Sequence, residues 1–299
     1  MNSKNIVIVI IVLVLVGALT YLFTNGGGEE VAVNETDTNT EQPIPTEPDE
    51  GIGDGAEPLT EQSDETMDER GESSVLGTSV GGRTITASHF GTGETELLIV
   101  GGTHGGYSPN TTALAEEAIE YFTNNPTAVP EGVMVTIIPT LNPDGATLSG
   151  TPGRFNSNDV DLNRNFDCEW SATGVWRDQE VSGGAEPFSE PEANALRQYV
   201  DTYSPNHAIV LFAAEGKVYP SACASTPSNA SVELAATYAT AAGYPAEAEF
   251  DAYAITGDMV NWMAKEGIPA ISVLLSDRQS SEWTKNQAGI EAVLELLAQ

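Results

Sequence analysis

Strand-length runs of aliphatic and β-branched residues alternate with amphipathic helical patterns along the C-terminal part of this chain, and that alternation restricts the fold more than any other feature. Glu96–Gly102 (ELLIVGG), VMVTIIPT, HAIVLFAA and AISVLLS read as buried strands. Between and after them, TALAEEAIEYFTNN, PEANALRQYVDTY, SVELAATYATAAGY, DMVNWMAKEG and AGIEAVLELLA carry a helical period. Continuous apolar strands separated by helices predict an α/β sheet covered on both faces. In such sheets, sites form beyond the carboxyl ends of the strands. Here those ends carry THGG, LNPDG, FAAEG and LSDRQ.

Two N-terminal segments are of different material. Ile6–Phe23 is an uncharged apolar run, preceded by Lys4 and followed by Glu29 and Glu30. Eighteen residues at about 1.5 Å each nearly span a hydrocarbon core of about 30 Å. The charge asymmetry places the N-terminus in the cytoplasm and the rest outside, so residues 1–24 are predicted to be a membrane anchor, or a signal if cleaved. Residues 25–73 are rich in Glu, Asp, Thr, Pro and Gly and hold a single base, Arg70. That composition predicts a disordered acidic linker with a coil reach of roughly 35–42 Å. Residues 74–299 form the predicted domain.

The whole chain has a formal charge of −33. Such an acidic surface argues against nucleic acid or an anionic membrane face as partner. The two cysteines, Cys168 and Cys223, predict a disulfide if the domain lies outside the cytoplasm. The closed loop would contribute roughly 4 kcal/mol by chain entropy.

GGTHGG, LNPDG, GRFNSNDVDLNRNF, PFSEPEANAL and YAITGDMVNW, in this order, resemble the zinc metallocarboxypeptidases typified by carboxypeptidase A, in their bacterial and archaeal extracellular branch. The resemblance covers the domain from about Leu76. It implies a mixed, mostly eight-stranded twisted sheet with helices on both faces. It also implies zinc held by His, Glu and His, an open position for water, and a glutamate as general base. His104 matches the first ligand. Tyr107 and Ser108 stand where the ligand glutamate belongs, Ala213 aligns with the second histidine, and Leu274 with the general base.

Other family positions are kept. Asn163 and Arg164 match the pair that grips a substrate's terminal carboxylate, a role suited to the guanidinium fork. Arg154 matches the arginine that polarises the scissile carbonyl, and Tyr253 the tyrosine that closes over bound peptide. His89 and His207 offer no replacement ligand: His207 precedes its strand, about 20 Å from the far end. Glu215 and Asp277 are candidates for weak cation binding only. Glu190 and Glu192 read as helix-start acids.

Two of three ligands and the base are thus missing. Each lost ligand removes roughly 3 kcal/mol of metal affinity, and loss of the base two to four decades of rate. The expectation is an extracytoplasmic, membrane-tethered domain of this family without hydrolytic competence, its zinc lost or weakly bound. Its partner would be the C-terminal carboxylate of a peptide, including peptidoglycan-type peptides. An active zinc carboxypeptidase with non-standard ligands is the alternative.

Overall fold

The computed structural model describes residues 70–299. The predicted anchor, and the predicted linker up to residue 69, lie outside them. Among the described residues, no helix is long and apolar enough to cross a membrane. Arg70, assigned above to the linker, is part of the fold. Its Nη1 donates to Glu96 at 2.9 Å and to the Tyr199 hydroxyl at 2.6 Å.

Seven strands make the main sheet: β1 (Ser73–Thr78), β2 (Thr84–Gly91), β3 (Thr95–Val100), β4 (Val133–Ile138), β7 (His207–Ala213), β8 (Lys217–Pro220) and β9 (Ala270–Leu275). Their order is β1-β2-β4-β3-β7-β9-β8. The inner strands β4, β3, β7 and β9 are parallel, and β1, β2 and β8 close the edges antiparallel. This is one strand fewer than the resemblance implies. The remaining pair, β5 (Thr173–Trp176) and β6 (Gln179–Ser182), forms a separate hairpin.

Five helices flank the sheet: α1 (Pro109–Asn124), α2 (Pro191–Tyr203), α3 (Asn229–Ala242), α4 (Met259–Lys265) and α5 (Trp283–Leu297). Side chains alternate across a strand, so each inner strand feeds two cores. Ile209 and Leu211 of β7 pack with α1, α3 and α5 on one face. Ala208, Val210 and Phe212 of the same strand pack with α2 and α4 on the other. Helix starts follow local chemistry. Pro109 and Pro191 occupy first-turn positions where no amide donor is needed, and Ser228 and Asp258 cap α3 and α4 by accepting from the amides of Ser231 and Asn261.

The end of the sheet away from the parallel strands' carboxyl termini is held by a buried polar network. Glu96 accepts from Thr136, Tyr199 and Arg70, while His89 bonds Thr136 through Nδ1 and Ser74 through Nε2. His89 is therefore a buried sheet residue. His207 opens β7 at this same end, as its position in the sequence predicts.

Candidate functional site

A cleft of about 830 Å³ opens beyond the carboxyl ends of β3, β7 and β9. The glycine-rich turn after β3 places His104 in its wall. Gly102 adopts φ +61°, and a Cβ on Gly106 would lie 1.7 Å from the Leu148 carbonyl oxygen, so only glycine lets the two loops meet there.

His104 is buried, and its Nε2 lies 3.2 Å from Asp161 Oδ1. The other oxygen of Asp161 accepts from Nε and Nη2 of Arg154 at 2.9 and 2.7 Å. Asp161 is fully buried, which alone would favour its neutral acid. Arg154 and His104 outweigh that burial and hold the carboxyl well below the usual range. An ionised Asp161 can only accept, so the imidazole proton sits on Nε2 and leaves Nδ1 as an acceptor. Burial, then the charge of Arg154, push the His104 pKa down to about 4 despite the carboxylate. His104 is therefore neutral at pH 7.

The side chain that β7 turns toward His104 is Phe212, not Ala213. The two rings lie 5.6 Å apart at their centroids. Phe212 belongs to the core on the cleft side, whereas Ala213 borders the cleft but packs with Ile209 and Leu211 against the core of the opposite face. The one-residue correction matters because alternation along a strand reverses every side chain. Leu274 pairs with Phe212 across β7 and β9, shares its core, and lines the cleft.

Tyr107 stands three residues after His104, edge-on to Trp176 with centroids 5.2 Å apart. Arg278 lies over its ring at 4.3 Å, and Arg154 over that of Trp176 at 4.4 Å. Ser108 is buried at the start of α1 and does not line the cleft. A catalytic zinc centre needs three donors about 2.0–2.3 Å from the ion. Beside His104 lie the Phe212 ring and the Asp161 carboxylate, which Arg154 already holds; Leu274 lines the same cleft, and Tyr107 packs on Trp176. Among the described residues, no three His, Cys, Asp or Glu side chains converge to hold a metal. Zinc does not fit this donor set.

The retained polar residues are more occupied than the sequence implies. Arg154 reaches the cleft but is the counter-ion of Asp161. Asn163 Nδ2 donates to Asp258 at 2.8 Å, and its Oδ1 accepts from the Met259 amide. Arg164 donates through Nε and Nη2 to the Val175 carbonyl and through Nη1 to that of Asn163. Three of its N–H groups are engaged, and two remain. Tyr253 is half-buried at the rim, with its ring centroid 5.9 Å from the Arg164 guanidinium carbon. Cys168 and Cys223 are joined as expected, tying the loop that carries Asn163 and Arg164 to the segment after β8.

Glu190 stands at the N-cap position of α2 without a side-chain capping bond, and both Glu190 and Glu192 accept from Asn156 Nδ2, so they brace a loop rather than act as an acid/base pair. Glu215 lines the cleft and accepts from the Tyr219 hydroxyl, while Asp277 accepts from the amides of Gln279 and Ser280 in its own turn. The sequence reading assigned no role to Asp161, Trp176, Arg177, Phe212 or Arg278. For Asp161 and Arg278 there was a signal: one lies inside DVDLNRNF, the other in the strand-end segment LSDRQ.

Comparison with known proteins agrees with this architecture. Murein peptide amidase A of Escherichia coli K12 is 32% identical over 118 residues, which are 36% of this chain and 45% of that protein. The match thus spans less than half of the relative's length. The structure of murein-tripeptide amidase from Escherichia coli O157 superposes with a TM-score of 0.59 at 22% identity, covering 76% of this chain and 92% of that one. Carboxypeptidase A from Helicoverpa armigera gives 0.64 at 18% identity, over 76% and 68%. At these identities the two structures establish a shared fold. The family model for zinc carboxypeptidases matches residues 59–296, and the chain belongs to the zinc carboxypeptidase family.

Proposed function

We propose that this chain is a binding member of its family, which holds the C-terminal carboxylate of a peptide in the cleft and does not hydrolyse it. The observation that carries this reading is the Phe212–Leu274 pair. The Phe212 ring packs on His104, and Leu274, its neighbour across the strands, lines the same cleft, where donor atoms and a base would have to converge. The cleft itself is intact, and Arg164 keeps two N–H groups and a place in its lining. The likeness to a murein peptide amidase favours peptidoglycan-type peptides as the ligand class. The apolar run Ile6–Phe23 favours a domain tethered to the outer face of a membrane.

The test is calorimetry with short peptides and their C-terminal amides, beside metal analysis of the purified protein. Binding of free acids but not amides, with no stoichiometric zinc, is the expected result. The rival is a working hydrolase with unusual ligands, which the amidase likeness also favours. Stoichiometric zinc with chelator-sensitive cleavage of the same peptides would establish it in place of the binding reading.

A further inference from the structure

Basic residues are scarce in this acidic chain, and in the described residues most are neutralised. Arg70, Arg83, Arg154, Arg197, Lys217, Lys265 and Lys285 each form an ion pair with a carboxylate. Arg164, Arg177 and Arg278 do not, and all three line the same cleft. With so many carboxylates available on the surface, three unpaired guanidinium groups at one place are an arrangement the fold maintains, not a consequence of composition.

Of the three, Arg278 is held by an aromatic face and has no hydrogen bond of its own among the described residues. Its guanidinium lies on the face of Tyr107 at 4.3 Å, and its Nε is shielded from solvent with no hydrogen-bond partner. The loop that carries it is pinned on both sides: Asn110 Nδ2 donates to the carbonyls of Asp277 and Ser280 at 2.8 and 2.9 Å. Within the loop, Asp277 accepts from the amides of Gln279 and Ser280. Arg177 stacks on the neighbouring Trp176 at 5.4 Å, the ring that also carries Arg154. A guanidinium held over an aromatic ring, with donors left over, is prepared to take a carboxylate in a two-bond fork.

We infer that the cleft contains a second carboxylate subsite, built by Arg278 and Arg177 on the Tyr107–Trp176 wall and separate from Arg164. The ligand it selects is a peptide with an acidic group in addition to its C-terminus. This rests on the peptide-binding reading above and adds a charge requirement to it. The subsite uses one of the two residues that stand where the ligand glutamate was expected: Tyr107 is a platform for a cation.

The experiment compares the tripeptides Ac-Glu-Ala-Phe and Ac-Ala-Glu-Phe with their glutamine counterparts by calorimetry, each also as the C-terminal amide. At least one glutamate peptide should bind about tenfold more tightly than its glutamine form, the size of one charge-assisted contact. Arg278→Gln should abolish that preference. Arg177→Gln should reduce it, and the surface control Arg197→Gln should not. Thermal melts verify that each variant is folded. Equal binding of Glu and Gln forms at both positions overturns the subsite, as does a preference that survives Arg278→Gln. If amides bind as well as acids while the glutamate preference persists, the C-terminal reading fails and the Arg278 subsite stands. If no peptide binds, both fail.

Discussion

Replacing Arg154 by methionine would leave Asp161 as a buried carboxylate without its guanidinium. The Arg154 side chain is 4% exposed and that of Asp161 0%, and the contacts at 2.9 and 2.7 Å both end on Oδ2. Removing one partner of a buried pair costs about 3–5 kcal/mol, because the remaining charge has neither water nor counter-ion. In a domain of this size, each kcal/mol moves Tm by about 2–4 °C, so a fall of about 10 °C is expected. Asp161→Asn should cost a comparable amount by stranding Arg154. The double variant removes both charges and should be clearly less destabilised than the sum of the singles, with a coupling of about 2 kcal/mol or more. Urea unfolding of the four proteins at pH 7 measures this cycle. If the single variants cost under about 1 kcal/mol, or if their effects add, Arg154 is not the counter-ion of Asp161 and the account of this wall is wrong.

Three other outcomes are expected. Phe212→His, combined with Tyr107→Glu, should raise zinc affinity by roughly four decades in titration calorimetry, whereas Ala213→His in place of Phe212→His should not, because residue 213, although at the cleft's border, packs against the other core. His104, with its pKa lowered to about 4, is neutral in the fold, while the unfolded chain takes up its proton near pH 6.5. Its contribution to stability is therefore complete above that pH and is lost as pH falls toward 4, about 2 kcal/mol of it by pH 4.5. An NMR titration of His104, together with urea melts at pH 7 and 4.5, should show that loss in the parent and not in His104→Gln. Reduction of the Cys168–Cys223 bond should lower stability by up to about 4 kcal/mol in calorimetric melts with and without reductant; an unchanged melt would contradict the chain-entropy argument.

Much of the fold was legible in local pattern. The strands over ELLIVGG, VMVTIIPT, HAIVLFAA and AISVLLS, and the helix Pro191–Tyr203, lie where the apolar period puts them. Strands β1, β2 and β8 were not singled out. They are edge or near-edge strands with exposed or polar positions, and their pairing supplies what their composition does not.

What the sequence alone determined was the alternation of strand and helix, the disulfide partners and the ends of the strands where a site must lie. Those depend on residue spacing and on a short list of cysteines. Only the tertiary structure decided which side chains share the cleft. The choice of Phe212 over Ala213 depends on strand register, and the pairing of Arg154 with Asp161 on how a loop folds back across His104. That Arg278 stacks on Tyr107 while lacking a carboxylate is a relation between loops 171 residues apart in the chain. Contacts of that kind are created by packing, which local pattern does not encode.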